Sequence, residues 1–293
     1  MCGECAHAER EQDPDNCSVP SHSCLSNTTL SDTDIPFRFV PEFASPAEHY
    51  DRFMGRYAVP LASALADTVG VAAGMKVVDV GCGPGALSSE LAGRVGAENV
   101  AAIDPAEQFV AACQQRNPGA DVRQGVAEEL PWADDTFDAA LSCLVIAFMS
   151  DADAGLREMV RVTKPGGKLG VCMWDIAGGG MTMLRVFWSA MQSVNPGVGG
   201  EAERAGTAEG DIAERLRRVG AGDVAAGSLE VSVEYSGFED FWKPFEFGVG
   251  PAGQALAKLP DDQRTAVREA SQAQLPAGSF SLDARSWYAT ATV

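Results

Sequence analysis

Apolar residues in this chain fall into short runs. Each run is closed by glycine, proline or an acidic residue, and between runs the apolar positions recur at helical spacing. Lys76 to Val80 predicts a short buried strand, followed by glycines at 81, 83 and 85 and by Leu87, Leu91 and Val95 at i, i+4 and i+8, which predict a helix over about 86–95. Asn99 to Ile103 predicts a second strand closed by Asp104, and the helix at about 106–116 stops at Asn117-Pro118-Gly119. A short strand at about 121–124 and a longer one from Phe137 to Cys143 come next. The helix at about 153–163 stops at Lys164-Pro165-Gly166-Gly167, and a fifth strand runs from Lys168 to Trp174. Strands alternating with helices of this length predict an α/β fold, a parallel sheet covered on both faces.

Ahead of this block, Ala47 to Val69 predicts two helices broken near Pro60. Behind it, Gly178-Gly179-Gly180 predicts a flexible joint, then an apolar helix at 181–194, a loop at 195–210, a helix at about 211–219 and a strand at about 224–234. Phe238, Phe241, Trp242, Phe245 and Phe247 crowd together before helical stretches at about 252–258 and 261–274 and a last strand at about 284–292.

The first loop carries chemistry. Asp79-Val80-Gly81-Cys82-Gly83-Pro84-Gly85 differs from the dinucleotide pattern G-x-G-x-x-G: an acidic residue stands two before the first glycine, and the third glycine comes one position early. A carboxylate at Asp79 repels a pyrophosphate and attracts an ammonium group. S-adenosylmethionine (SAM) offers a ribose, an adenine, an ammonium and a sulfonium, and no phosphate. Ligands of open α/β sheets bind beyond the carboxyl ends of strands, where Asp104 can accept both ribose hydroxyls and Pro105 can lie against the adenine.

Charge narrows the partners. The 293 residues carry a net charge of -19, which disfavours nucleic acid and anionic membrane surfaces. No apolar run is long enough for a membrane span, and the N-terminus does not read as a signal sequence, so a cytoplasmic location is expected. Residues 1–38 read as a disordered tail containing Cys2, Cys5, Cys17 and Cys24 with His7 and His22, whose spacing does not support a metal finger. Cys82, Cys113, Cys143 and Cys172 read as reduced, mostly buried thiols, and no metal site is expected.

Further on, Ala127-Glu128-x-Leu130-Pro131 leads to Phe137-Asp138, and Arg157-Glu158-x-x-Arg161-Val162-x-Lys164-Pro165-Gly166-Gly167 follows. With Val78 to Gly85 and Asp104, these motifs make the chain resemble the class I SAM-dependent methyltransferases, in the branch that includes the ubiquinone/menaquinone-biosynthesis enzymes, over about residues 47–175. The resemblance implies a Rossmann-like seven-stranded sheet with its last strand antiparallel. Residues 39–293 then form the methyltransferase domain, with a SAM-binding core at 47–175, substrate-side helices in 176–293 and a lid insertion at about 235–281. It also implies roles. Asp79, Gly81, Cys82, Gly83 and Gly85 hold the methionine part of SAM, Asp104 the ribose, Ala127 and Glu128 the adenine, and the backbone of Ser142 the ammonium. Where relatives often carry Asp for the adenine amino group, this chain has Val126.

The stretch Tyr50 to Tyr57 packs three aromatics and two arginines into eight residues. It is expected either to close one side of the pocket, with Arg56 and Tyr57 facing the ligand, or to be core with solvated arginines. His49 is the sole histidine outside the tail and is the candidate base. The aromatic cluster around 238–247 is expected either to be the insertion's own core or to suggest a small apolar or aromatic acceptor, methylated on oxygen or carbon, by a monomer or homodimer. Three alternatives stand beside this reading: an NAD(P)-dependent oxidoreductase, an arsenite methylase using Cys143 and Cys172, and a non-catalytic SAM-binding partner.

Overall fold

The computed structural model describes residues 45–293. The cysteine-containing stretch before residue 38 and its boundary lie outside the described residues. Seven strands form one sheet in the order β3-β2-β1-β4-β5-β7-β6: β1 Val77–Val80, β2 Val100–Asp104, β3 Asp121–Gln124, β4 Phe137–Cys143, β5 Thr163–Trp174, β6 Gly222–Tyr235 and β7 Phe280–Thr292. β1 pairs parallel with β2 and β4, and only β7, antiparallel to both β5 and β6, runs against the rest. β1 and β2 are buried along their whole length, as a sheet covered on both faces requires.

The helices fall where the apolar spacing put them. α1 (Ala47–Tyr50) and α2 (Arg56–Val69) lead the chain to the sheet, α3 is Ala86–Val95, α4 Glu107–Arg116 and α5 Ala152–Val162. α6 (Thr182–Val194) and α7 (Asp211–Arg218) precede β6. β7 starts four residues earlier than expected, at Phe280, and two further boundaries differ with a physical reason. The break in the first helical stretch is a single π-helical turn at Asp51–Gly55, and Pro60 lies inside α2. A proline removes one backbone donor, and the irregular turn sits just before the carbonyl left without it, at the mouth of the site. α5 ends at Val162, ahead of Pro165-Gly166-Gly167, and that segment lies inside β5, which starts five residues early at Thr163. A register shift opposite Phe137/Ala139 accommodates the proline, and Gly166 and Gly167 pair with Val293.

Between β6 and β7 lie α8 (Phe238–Trp242), a 3₁₀ turn at Lys243–Phe247, α9 (Gly250–Ala257) and α10 (Asp261–Gln272). Their aromatics pack on one another and on the body of the domain. Phe245 stacks on Phe187 of α6 at 4.4 Å and meets Phe53 edge-on at 5.1 Å, with Phe241 at 5.3 Å. The cluster is therefore the insertion's own core and its weld to the first helices, rather than an acceptor platform. Phe245→Ala should lower stability by about 3–5 kcal/mol, the usual result of emptying a fully buried aromatic site. Urea unfolding at constant m-value reads this directly.

Candidate functional site

At the carboxyl ends of β1, β2 and β4 lies a cavity of about 560 Å³, lined among others by the glycine loop, Asp104 and residues 125–128. The loop's backbone makes it unlike an anion cradle. The amides of Gly81 and Cys82 donate to the carbonyl of Ile103 (2.8 and 2.9 Å), that of Gly83 to Asp104 Oδ2 (2.9 Å) and that of Gly85 to the carbonyl of Cys82 (2.9 Å). Pro84 has no amide to offer. Few donors remain for a pyrophosphate, and this weighs against a dinucleotide. Glycine is required at two points. Gly81 has φ +79°, and a Cβ there would stand 2.4 Å from the Val145 methyls. Gly85 has φ +98°, and its Cβ would press on Cys113 and Asn117.

Two carboxylates set the electrostatics. Asp79 is 1% exposed. Its Oδ2 accepts the Ser88 hydroxyl at 2.7 Å, and its Oδ1 has no partner among the described residues. Burial raises its pKa to about 8, partly opposed by the Ser88 hydrogen bond. Asp104 accepts from the amides of Gly83 and Ala106, both at 2.9 Å. Burial lifts its pKa to about 6, and those two amides hold it from rising further. Asp51, Glu90 and Glu128 add to the acidic lining, whose arginine, Arg116, is paired with Asp51. The cavity suits a ligand with a cation and neutral hydroxyls. An orphaned buried acceptor at Asp79, a hydroxyl-accepting carboxylate at Asp104 and apolar walls at Val126, Ala127 and Pro105 fit SAM.

The later motifs build the wall beside residues 125–128. Arg161 donates to the carbonyls of Leu130 and Trp132 and pairs with Glu158 and Asp134, while Glu158 accepts the Leu130 amide at 2.8 Å. This clamps the loop between β3 and β4 onto α5. Asp138 accepts from Lys164 and from the Lys76 amide, so its carboxylate is pulled below its usual range. These charges position the loop and do not face the cavity.

The expected site residues separate into two groups. Asp79, Gly81, Cys82, Gly83, Gly85, Asp104, Pro105, Ala127 and Glu128 all line the cavity. Glu128 Oε1 accepts the amides of Ser150 and Asp151, so it also fixes the start of α5. Ser142, Arg56, Tyr57 and His49 do not line it. Ser142 is fully buried, its hydroxyl donating to the Val80 carbonyl at 2.9 Å, and the chain reaches the cavity one residue later, at Cys143 and Leu144. Arg56 lies over the Tyr235 ring and pairs with Asp240 at 3.3 Å. The Tyr57 hydroxyl meets that of Tyr235 at 2.8 Å. His49 stacks on Phe247 at 4.4 Å. These three side chains face the insertion because its aromatics and Asp240 supply partners that water would otherwise have to replace.

Further lining residues come partly from the Tyr50–Tyr57 stretch, whose start does reach the pocket, and partly from positions the sequence did not single out. They include Tyr50, Asp51, Phe109, Leu144 and Phe148. Leu144 has φ +67°, a conformation a branched side chain adopts only under constraint; its amide donates to Cys172 at 2.9 Å. Backbone strain of this kind leaves no mark in the sequence. Cys143 and Cys172 are register partners with sulfurs 3.5 Å apart, both free thiols. Among the described residues no group of three or more His, Cys, Asp or Glu is arranged to hold a metal. Nor is any described helix long and apolar enough to cross a membrane.

Comparison with known proteins agrees with this architecture. Residues 78–171 match the family model for a methyltransferase domain. The chain is similar to the class I SAM-dependent methyltransferases of the ubiquinone/menaquinone branch. It is 41% identical over 110 residues to the ubiquinone/menaquinone biosynthesis C-methyltransferase of Idiomarina loihiensis, a stretch covering 35% of this chain and 44% of that protein. It is 37% identical over 107 residues to the demethylmenaquinone methyltransferase of Desulfitobacterium hafniense, over 34% and 42% of the two chains. The matched stretch thus spans less than half the length of these relatives. A solved structure from Bacillus halodurans, described as a candidate methyltransferase, superposes with a TM-score of 0.54 at 17% identity, covering 79% of this chain and 97% of that one, which shows the shared fold.

The raised pKa of Asp79 has a consequence for stability. Its folded-state value, about 8, stands above the 3.8 of an ordinary aspartate. The folded chain therefore holds a proton that the unfolded chain releases, and stability falls as pH rises between these values. Asp79→Asn removes that dependence. It should match the wild type near pH 4 and exceed it by about 1–3 kcal/mol at pH 8. Denaturation midpoints across pH check this.

Proposed function

We propose that the chain is a SAM-dependent methyltransferase that transfers the methyl group to an oxygen or carbon of a small, apolar or aromatic metabolite. The observation that carries this reading is the buried, unpartnered Oδ1 of Asp79 beside a glycine loop whose amides are engaged elsewhere. Asp79 would hold the ammonium, and Asp104 the ribose hydroxyls through the lone pairs its two amide donors leave open. Pro105, Val126 and Ala127 would sandwich the adenine by apolar contact, with the loop fixed by Arg161 keeping that slot open. When bound, SAM supplies an electrophilic sulfonium methyl: the acceptor's electron pair forms the new bond to carbon, the carbon–sulfur pair leaves with sulfur, and any acceptor proton is released.

The protein's part is to align the two reactants and exclude water. Tyr50, Leu144 and Phe148 would do this at the inner wall of the cavity. The burial that raises the Tyr50 phenol well above its ordinary value keeps it neutral, a donor rather than a base. Menaquinone-type acceptors act in the relatives' reactions by name; this chain's insertion at 236–279 is what would set its own acceptor apart. We carry forward a cytoplasmic location and a monomer or homodimer as expectations of this reading.

The test is calorimetry with SAM. Asp79, mostly protonated at pH 7, must ionise to meet the ammonium, so binding should release about one proton at that pH. Asp79→Asn should abolish the release, and Asp104→Ala should weaken binding roughly ten- to a hundredfold. Absence of SAM binding by the wild type overturns the reading. Binding without turnover of labelled SAM against a broad metabolite panel would instead support a non-catalytic SAM-binding partner.

A further inference from the structure

Three cavities lie in a row. The cavity of about 560 Å³ shares Tyr50, Leu144 and Phe148 with a chamber of about 50 Å³. That chamber shares Ile176, Leu184 and Glu201 with an outer groove of about 220 Å³, bordered by α6 and the loop after it. The chamber is apolar. Phe53, Met54 and Trp174 wall one side, and the start of α9 contributes Gly250, Pro251 and Ala252. Its indole is engaged, with Trp174 Nε1 donating to Met54 Sδ at 3.2 Å.

Glu201 is the one charged residue among the described residues lining the chamber. It is 5% exposed, and its Oε1 accepts the Trp188 indole at 3.1 Å. A carboxylate can accept several hydrogen bonds at once, so a donor on a ligand can join those it already accepts. It stands where chamber and groove meet. The strained Leu144 stands at the opposite end, where chamber and cofactor cavity meet.

We infer that the methyl acceptor reaches the site through the outer groove and seats its apolar body in the chamber. Glu201 selects it by a hydroxyl or ammonium donor. The inference rests on the proposed methyl transfer in the larger cavity, since the shared wall is where methyl and acceptor would meet. Glu201 is then a specificity-determining residue: it reads the end of the acceptor away from the methylated atom. The acceptor class follows as small, apolar or aromatic, with at least one hydrogen-bond donor. A chamber this small accepts a longer molecule only as the groove and the start of α9 yield, so binding should depend on residues at the groove junction.

Saturation-transfer NMR with 4-propylphenol and 4-propylanisole, with and without saturating S-adenosylhomocysteine, tests this. The ether replaces the donor hydrogen with a methyl group, and the Glu201→Gln variant separates loss of the donor from the added bulk. The wild type should bind the phenol about tenfold more tightly than the ether, a difference that one buried hydrogen bond accounts for. Glu201→Gln, close to isosteric, should shrink that ratio severalfold. Ile176→Trp, at a half-buried junction position, should block both probes. SAM affinity by calorimetry should stay within about twofold in both variants, which also shows that they fold. Equal probe binding in the wild type and in Ile176→Trp would overturn the inference. So would an unchanged ratio in Glu201→Gln, or failure of either probe to bind a wild type that binds SAM. Loss of SAM binding by the wild type itself would instead strike the proposed function, and the probes without cofactor still report on the chamber.

Discussion

The burial of two carboxylates at the ends of neighbouring strands constrains everything around them. Asp79 and Asp104 close β1 and β2 in a parallel sheet whose interior is apolar, and both are pushed toward neutrality by desolvation. Asp104 is held ready by backbone amides, one of them from the glycine loop. Three such contacts fix the loop's path: with Gly83 tied to Asp104 and Gly81 and Cys82 tied to Ile103, the loop turns its amides inward to the protein. What faces the cavity is unmet acceptor capacity. A site so built discriminates by charge before it discriminates by shape.

The rest of the fold holds that arrangement still. β4 is bound to β1 by Ser142, and α5 is bound to the β3–β4 loop through Arg161 and Glu158. The insertion between β6 and β7 is joined to the first helices by stacked rings and by the Arg56–Asp240 pair. The first helices, the loop after α6 and the start of α9 thereby enclose the space inward of the cofactor cavity. The cofactor-side carboxylates sit on strands, while the chamber is assembled mostly from helices and loops.

The sheet and the cofactor-side residues were legible because their signals are local. A strand, an acid, three glycines and a helical spacing lie within twenty residues, and backbone sterics admit few alternatives. The start of β5 was not legible, because proline and glycine punctuate a chain equally well at a bulge and in a loop. The sequence left open whether Arg56 and Tyr57 face the ligand or the core; in the fold they and His49 face the end of β6 and the insertion. Choosing between two faces of one helix depends on what packs there, and Tyr235, Asp240 and Phe247 come from far along the chain. Ser142, expected to offer its backbone, is buried, and the chain first lines the cavity one residue later, at Cys143. The chamber was invisible for the same reason as the helix faces: Tyr50, Leu144, Trp174, Glu201 and Pro251 meet only in three dimensions.

The most direct test of the account is a crystal structure of the protein grown with S-adenosylhomocysteine. The account predicts the ligand's ammonium within hydrogen-bond distance of Asp79 Oδ1, its ribose hydroxyls on Asp104, and its sulfur against the wall formed by Tyr50, Leu144 and Phe148. Density for the ligand outside this cavity, or within it with the sulfur turned away from that wall, would contradict it.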